Sequence, residues 1–350
     1  MGKERNYGID LLRLIFMYMV CMLHVLGQGG ILAASAVGTA EHKVFWLLEI
    51  LAYCAVDGFA IISGYMASDK PRKYEKLADM WFQAFFYSFI VTLILTLAGV
   101  NETWEGADII KCAMPVTFKK FWYFTAYFVL FLAIPLLNRF LFAIEEKTAK
   151  KAFIIIVLLF SVLELFGDPF VLNSGYSAIW LIILYCVGVL AKRIKLFESK
   201  RSMTLVLLWG LCIALEWWSY AFKGFNKLVY YVSPTVLLSA LIMVVLFSRI
   251  RLKGTVISKL SPLAFGIYLF QLSPVIWNNV LKDAFAGVAG KPLHIGVISV
   301  FAIGFAIFAS GMAVEFIRSR LANAVRIHKL SEKLVSLFDT ALEKTSALLK

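Results

Sequence analysis

The sequence predicts an all-α polytopic membrane protein of about ten transmembrane helices, and three observations carry that prediction. First, 61% of its 350 residues are hydrophobic and 16% charged, with a mean hydropathy of +0.82. A water-soluble domain is closer to half apolar and a quarter charged. Second, apolar runs long enough to cross a hydrocarbon core, roughly 17 to 25 residues each, recur from Gly8 to about Phe316. Third, Lys and Arg gather in alternate connectors, as they do when a membrane protein fixes its orientation. The formal charge of +13 therefore reflects topology, and no nucleic-acid partner is expected.

Hydropathy places spans near 8–27, 44–67, 79–99, 120–138, 152–167, 177–192, 203–221, 230–248, 260–280 and 293–316, the fifth and sixth being short. Basic residues mark the connectors with Lys70, Arg72, Lys73 and Lys76, with Lys147, Lys150 and Lys151, with Lys192 to Arg201, and with Arg249 to Lys259. That side is expected to be cytoplasmic, with both termini on it. The opposite connectors are poorer in Lys and Arg, and several carry Gly, Pro and Asn, which suit turns or re-entrant segments around a cavity. The start resembles a signal peptide, but Asp10 and Arg13 interrupt its apolar run, and an uncleaved first span makes the later charge pattern consistent. Residues 1–316 are read as one membrane domain. Residues 317–350 are read as a cytoplasmic amphipathic helix, because Leu330, Leu334, Leu337, Phe338, Ala341 and Leu342 recur at helical period. Four of the five cysteines sit singly in apolar runs and Cys112 in a loop, without the close pairing of a metal or redox site, so no metal is expected.

An ionisable side chain inside a span costs several kcal/mol unless it is paired or faces a cavity. The first span holds Asp10, Arg13 and His24. Arg13 and His24 are eleven positions apart. Eleven steps at about 100° leave them only about 20° apart on the helix and roughly 16 Å apart along it. Asp10 falls near the same stripe. The geometry suits a donor that anchors phosphates at the cytosolic mouth and sends a long thin arm towards an imidazole. The plainer readings are a snorkelling anchor for Arg13 and a satisfied interfacial histidine for His24.

In the second span Asp57 stands out over Glu49, and Ser63-Gly64-Tyr65 offers either a helix-packing notch or a contact for the donor. Arg72 and Lys73 either obey topology or meet phosphates. The fourth span carries Trp122, Tyr123, Tyr127, Pro135 and Asn138. An aromatic belt explains the first two, and Pro135 suggests a kinked inner end. Glu164, Glu216, Gln271 and Glu315 are polar groups in or near spans that pair between helices or serve a site.

The Arg13-to-His24 spacing, followed in order by FAIISGYM, FWYFTAYFVLFLAIPLLN, NSGYSAIWLIILYCVG, YVSPTVLLSALIMVV and ISKLSPLAFGIYLFQ, resembles the bacterial acyltransferase-3 family of membrane O-acyltransferases. The resemblance implies a ten-helix core in the bacterial inner membrane. It implies transfer of acyl groups, usually acetyl from acetyl-CoA, to polysaccharides, lipid-linked glycans or other extracytoplasmic acceptors. His24 matches the family's histidine and Arg13 its first-span arginine. Ser63-Gly64-Tyr65 matches a small-residue motif, Arg72 the following basic donor site, and Trp122 a tryptophan ahead of the Pro-Leu-Leu-Asn segment. Relatives often have His where this chain has Gln271, and an amide is neither acid nor base, although it hydrogen-bonds.

Together these readings make His24 the expected catalytic group, with Asp10 or Asp57 orienting it. Arg13, Arg72, Lys73 and Ser63 to Tyr65 are expected to hold acyl-CoA, and Trp122, Tyr127 and Gln271 the acceptor. The competing class is a transporter or flippase of a polar lipid or glycan, with the same charged stripe lining its path.

Overall fold

A computed structural model describes residues 5–71, 73–100, 106–252 and 254–348. Arg72 and Lys253 lie outside the described residues. Local chemistry sets the helix ends. Helix α1 (Tyr7–Leu26) starts where the Asn6 side chain accepts the Ile9 N–H, and it stops at the glycines of Gly27–Gly30. A single turn, α2 (Ile31–Ala34), leads to α3 (Ala40–Tyr65), capped by Thr39. Helix α4 (Glu75–Phe85) continues through a π-helical turn, Phe86–Ile90, into α5 (Val91–Leu97). A short α6 (Gly106–Ala113) precedes α7 (Trp122–Ala143), which stays helical through Pro135. Helix α8 (Glu146–Val157) also runs on through a π turn, and α9 (Ala178–Arg193) is capped by Ser177.

Helix α10 (Ser202–Lys223) ends on the left-handed Gly224, and α11 (Pro234–Ser248) begins with Ser233 as cap and proline in its first turn. The last segments are α12 (Thr255–Leu260), α13 (Ala264–Gln271), α14 (Leu293–Ala324) and α15 (Ile327–Leu348). Among the described residues there is no strand. The chain is an all-helical, multi-pass bundle.

Among the described residues seven helical segments are long and apolar enough to cross a membrane, or eight if one bent pair counts as a span, against the ten predicted. The predicted fifth and sixth spans exist as the helical segments α8 and α9 and fall outside that set. The predicted ninth span is broken. Thr255–Gln271 and Ile276–Val288 meet at 71°, where Pro274 has no N–H to continue the ladder and the Ser273 hydroxyl instead donates to the Tyr87 carbonyl. Helix α14 passes its predicted end at 316 and reaches Ala324, where Arg326 in the left-handed region turns the chain into α15.

The basic connectors gather at one end of the bundle. There Arg193 donates to the Leu141 and Ile144 carbonyls, Arg249 to those of Phe197 and Lys200, and Asn6 to that of Ser248. These side chains stitch successive connectors and helix ends together through backbone carbonyls. At the same end α15 lies on α4, with Asp79 accepting from Ser331 at 2.6 Å and pairing with His328 at 2.8 Å. Leu330, Leu334, Leu337, Phe338 and Leu342 are left exposed on α15.

Helices α1, α3, α9 and α11 form the centre. The crossing of α3 with α9 is close because glycine faces backbone on both sides. A Cβ on Gly64 would overlap the Tyr185 carbonyl oxygen, and one on Gly188 the Ile61 carbonyl oxygen.

Candidate active site

One face of α1 supplies Arg13, Met17, Val20 and His24, spaced four, three and four residues apart, to a single cavity of about 520 Å³. That spacing is a straight stripe on an α-helix, so the guanidinium and the imidazole that the sequence put on one face line one continuous space. The volume lies in the range of pockets that enclose a small ligand. Helix α3 forms a second wall through Glu49, Tyr53, Val56 and Ser63. Helix α7 contributes Trp122, Tyr123 and Tyr127, and the remaining lining includes Tyr176, Tyr231, Ser261, Tyr268 and Trp277.

At the basic end Arg13 is held by Asp10, its Nη1 donating to Oδ1 at 2.6 Å. The buried carboxylate also accepts from Arg5 Nε at 2.5 Å and from the Ser261 hydroxyl at 3.3 Å. Asp10 is thus the clamp on two arginines, and α1 carries it a helix-length away from His24. Asp57 lies about 80° round α3 from Glu49, outside the cavity lining. It is buried against α9, where Trp180 Nε1 donates to Oδ1 at 3.0 Å. The structure therefore brings neither carboxylate to the imidazole.

At the far end the His24 ring meets Trp277 edge-on, with centroids 4.9 Å apart and planes at 82°. The broken ninth segment delivers that tryptophan. Its backbone is tied back to the glycines after α1, since Asp283 and Phe285 N–H donate to the Gln28 and Gly29 carbonyls at 2.9 Å, and Gln28 Nε2 donates to the Trp277 carbonyl at 3.0 Å. Gly30, at φ +84°, sits so close to Asp283 that a side chain there would collide. Among the described residues, buried His24 Nδ1 has no hydrogen-bond partner. Gln271, fully buried, lies alongside both His24 and the Cys21 thiol. The position where the expected histidine is replaced is thus next to the imidazole, outside the cavity lining.

The other expected donor contacts separate. Ser63 lines the cavity with its hydroxyl donating to the Phe59 carbonyl at 3.0 Å. Gly64 is the packing notch against α9. Tyr65 turns to Ser248, with oxygens 3.3 Å apart, under the Lys192 ammonium 4.7 Å from its ring centroid. Lys73 is exposed on the connector between α3 and α4. Both Trp122 and Tyr127 line the cavity, Trp122 against Tyr176 at 4.7 Å.

Sequence reasoning ranked Glu49 below Asp57, placed Tyr176 in a connector suited to line a cavity, and passed over Tyr53, Tyr231, Tyr268 and Trp277 as cavity groups. A helical projection of α3 separates Glu49 from Asp57, because Tyr53, Val56 and Ser63 all fall within about 40° of Glu49. The loop tyrosines gave no such periodic signal. Among the described residues no group of three or more His, Cys, Asp or Glu side chains gathers as a metal site.

In comparison with known proteins, the sequence matches the acyltransferase-3 family, described as an acyltransferase domain, over residues 6–314. No curated protein and no solved structure matches it. A family match that begins at the cap of α1 and runs to within α14 takes in every wall of the Arg13–His24 cavity, and the chain belongs to the acyltransferase-3 family.

Proposed function

We propose that the protein moves an acyl group, acetyl in the simplest case, from acyl-CoA entering at the Arg13 end to a hydroxyl of a glycan or lipid-linked glycan at the His24 end, across a bacterial inner membrane. The observation that supports this reading is that Arg13 and His24 line the same cavity at opposite ends of one helix stripe. A guanidinium at the mouth suits phosphates, which it binds through paired N–H groups. Exposed Lys73 adds positive charge to the same side.

In this reading His24 takes the proton of the acceptor hydroxyl as its oxygen attacks the thioester carbonyl. The C–S bond breaks, the ester forms, and the imidazolium returns that proton to the departing sulfur, so CoA leaves as the thiol and His24 is neutral again. The imidazole lines the cavity, which suits that role. Trp277 and Gln271 hold the ring between an aromatic edge and an amide, with no carboxylate in the pair.

Purified protein given acetyl-CoA and a glycolipid extract of the cell envelope is expected to release CoA thiol only when the acceptor is present. His24→Ala is expected to lower that release about 100-fold or more. Full release by His24→Ala sinks the assignment of the base. Movement of the glycolipid across vesicles without thiol release makes the protein a transporter instead.

A further inference from the structure

Glu49 is buried, at 8% exposure, and lines the cavity, yet among the described residues its Oε2 has no hydrogen-bond partner. A buried acceptor left unmade costs about 1–3 kcal/mol, so an orphan oxygen at a cavity wall calls for a donor that arrives with a ligand. Beside it runs an unbroken series of rings. Tyr53 and Tyr231 have centroids 5.1 Å apart, Tyr231 and Tyr176 5.2 Å, and Tyr176 and Trp122 4.7 Å, and all four line the same cavity.

The chain builds this wall deliberately in its backbone. Asp168 accepts the Leu172 and Asn173 N–H groups, and Asn173, Ser174 and Gly175 follow in left-handed conformations that deliver Tyr176 to the ring series. Gly175, at φ +103°, leaves room for Tyr231, since a Cβ there would fall within 2.5 Å of the Tyr231 Cβ.

We propose that Glu49 and these four rings form the acceptor subsite, and that it holds a ring-shaped polyol such as a pyranose. Such a ligand has an apolar C–H face to lie on aromatic plates and hydroxyls at its edge to donate to a carboxyl oxygen. Tyrosine hydroxyls add groups that both donate and accept, which suits alternating hydroxyls better than a cation. The proposal rests on the acyl-transfer reading for its purpose and on the cavity wall for its chemistry. Glu49 and Tyr231 then determine specificity, and His24 supplies the base.

The test uses the full chain in nanodiscs, which avoids glycoside detergents, with a panel of methyl pyranosides titrated by calorimetry and saturation-transfer NMR. At least one pyranoside is expected to bind saturably, and Glu49→Leu is expected to weaken it about tenfold or more. The melting temperature of Glu49→Leu is expected to equal or exceed that of the wild type, because the substitution removes a buried unpaired group; a purely structural glutamate would lose stability instead. Its acetyl-CoA affinity is expected to be unchanged. Should Glu49→Leu not fold, Glu49→Gln keeps the shape and is expected to weaken binding about fivefold, because it replaces one accepting oxygen with an NH2 that cannot accept. Equal affinity in wild type and variant overturns the proposal. So does binding of tetramethylammonium in place of any pyranoside, or no pyranoside binding at all. Glu49-dependent binding without acetyl-CoA-dependent acylation leaves the subsite standing and ends the acyl-transfer reading; His24-dependent acylation that ignores Glu49 does the reverse.

Discussion

Asp10 is the residue whose replacement separates positioning from charge. Its carboxylate is buried, while the two guanidinium side chains it holds are 48% exposed for Arg5 and 34% for Arg13. A half-exposed pair such as Arg5 is worth about 0–1 kcal/mol. Breaking a fully buried pair costs about 3–5 kcal/mol, and the partial exposure of Arg13 brings its share well below that range. Asp10→Ala is therefore expected to cost about 1–3 kcal/mol, and Asp10→Asn, which retains an oxygen for one arginine and for Ser261, about 1 kcal/mol less. Thermal unfolding in detergent, followed by tryptophan fluorescence, should register this as a drop of a few degrees.

Calorimetric titration with acetyl-CoA then distinguishes two roles for the same carboxylate. If Asp10 fixes the Arg13 guanidinium at the cavity mouth, both substitutions weaken donor binding, although each makes the site more positive. If Asp10 merely neutralises Arg13, both substitutions tighten it. A wild-type melting temperature in Asp10→Ala together with tighter acetyl-CoA binding would refute the clamp inferred from the 2.6 Å contact.

Two further outcomes follow from packing and from the C-terminal helix. Gly188→Val puts side-chain carbons where the Ile61 carbonyl stands; it is expected to cost about 1–3 kcal/mol or more, seen as aggregation on size-exclusion chromatography, and a monodisperse variant melting with the wild type contradicts the close crossing. Asp79 raises the His328 pKa above the usual imidazole value, chiefly through the hydrogen bond between them. The stabilisation is therefore complete below about pH 6.5 and lost as pH rises through the raised value. Limited proteolysis of α15 should accelerate over that rise in the wild type and show no such dependence in Asp79→Asn.

The class of the protein, the order of its helical segments and the shared face of Arg13 and His24 were legible in the chain, because each depends on local period. Hydropathy follows residue by residue, and a helix of 3.6 residues per turn carries position 13 onto the face of position 24 wherever its neighbours lie. Glycine punctuation was legible too, with a packing notch at Gly64 as one of two readings; only the packed bundle chose the notch, against the Tyr185 carbonyl, and made Gly30 a point of contact with Asp283.

Partner choice belonged to the tertiary structure. Asp10 is the exception: it has Arg13 one turn on and Arg5 five residues before it, so its pairing is local. The Asp57 carboxylate accepts as readily from an imidazole or a guanidinium as from an indole, and nothing within a few residues chooses among them. The packing of α3 against α9 assigned Asp57 to Trp180. The same holds for the cavity's far end, where Trp277, Tyr176 and Tyr231 come from irregular segments whose direction depends on a bend at Pro274 and a run of left-handed residues. Periodicity tells which side of a helix a residue occupies; what stands opposite is decided by helices distant in sequence, whose placement no local pattern encodes.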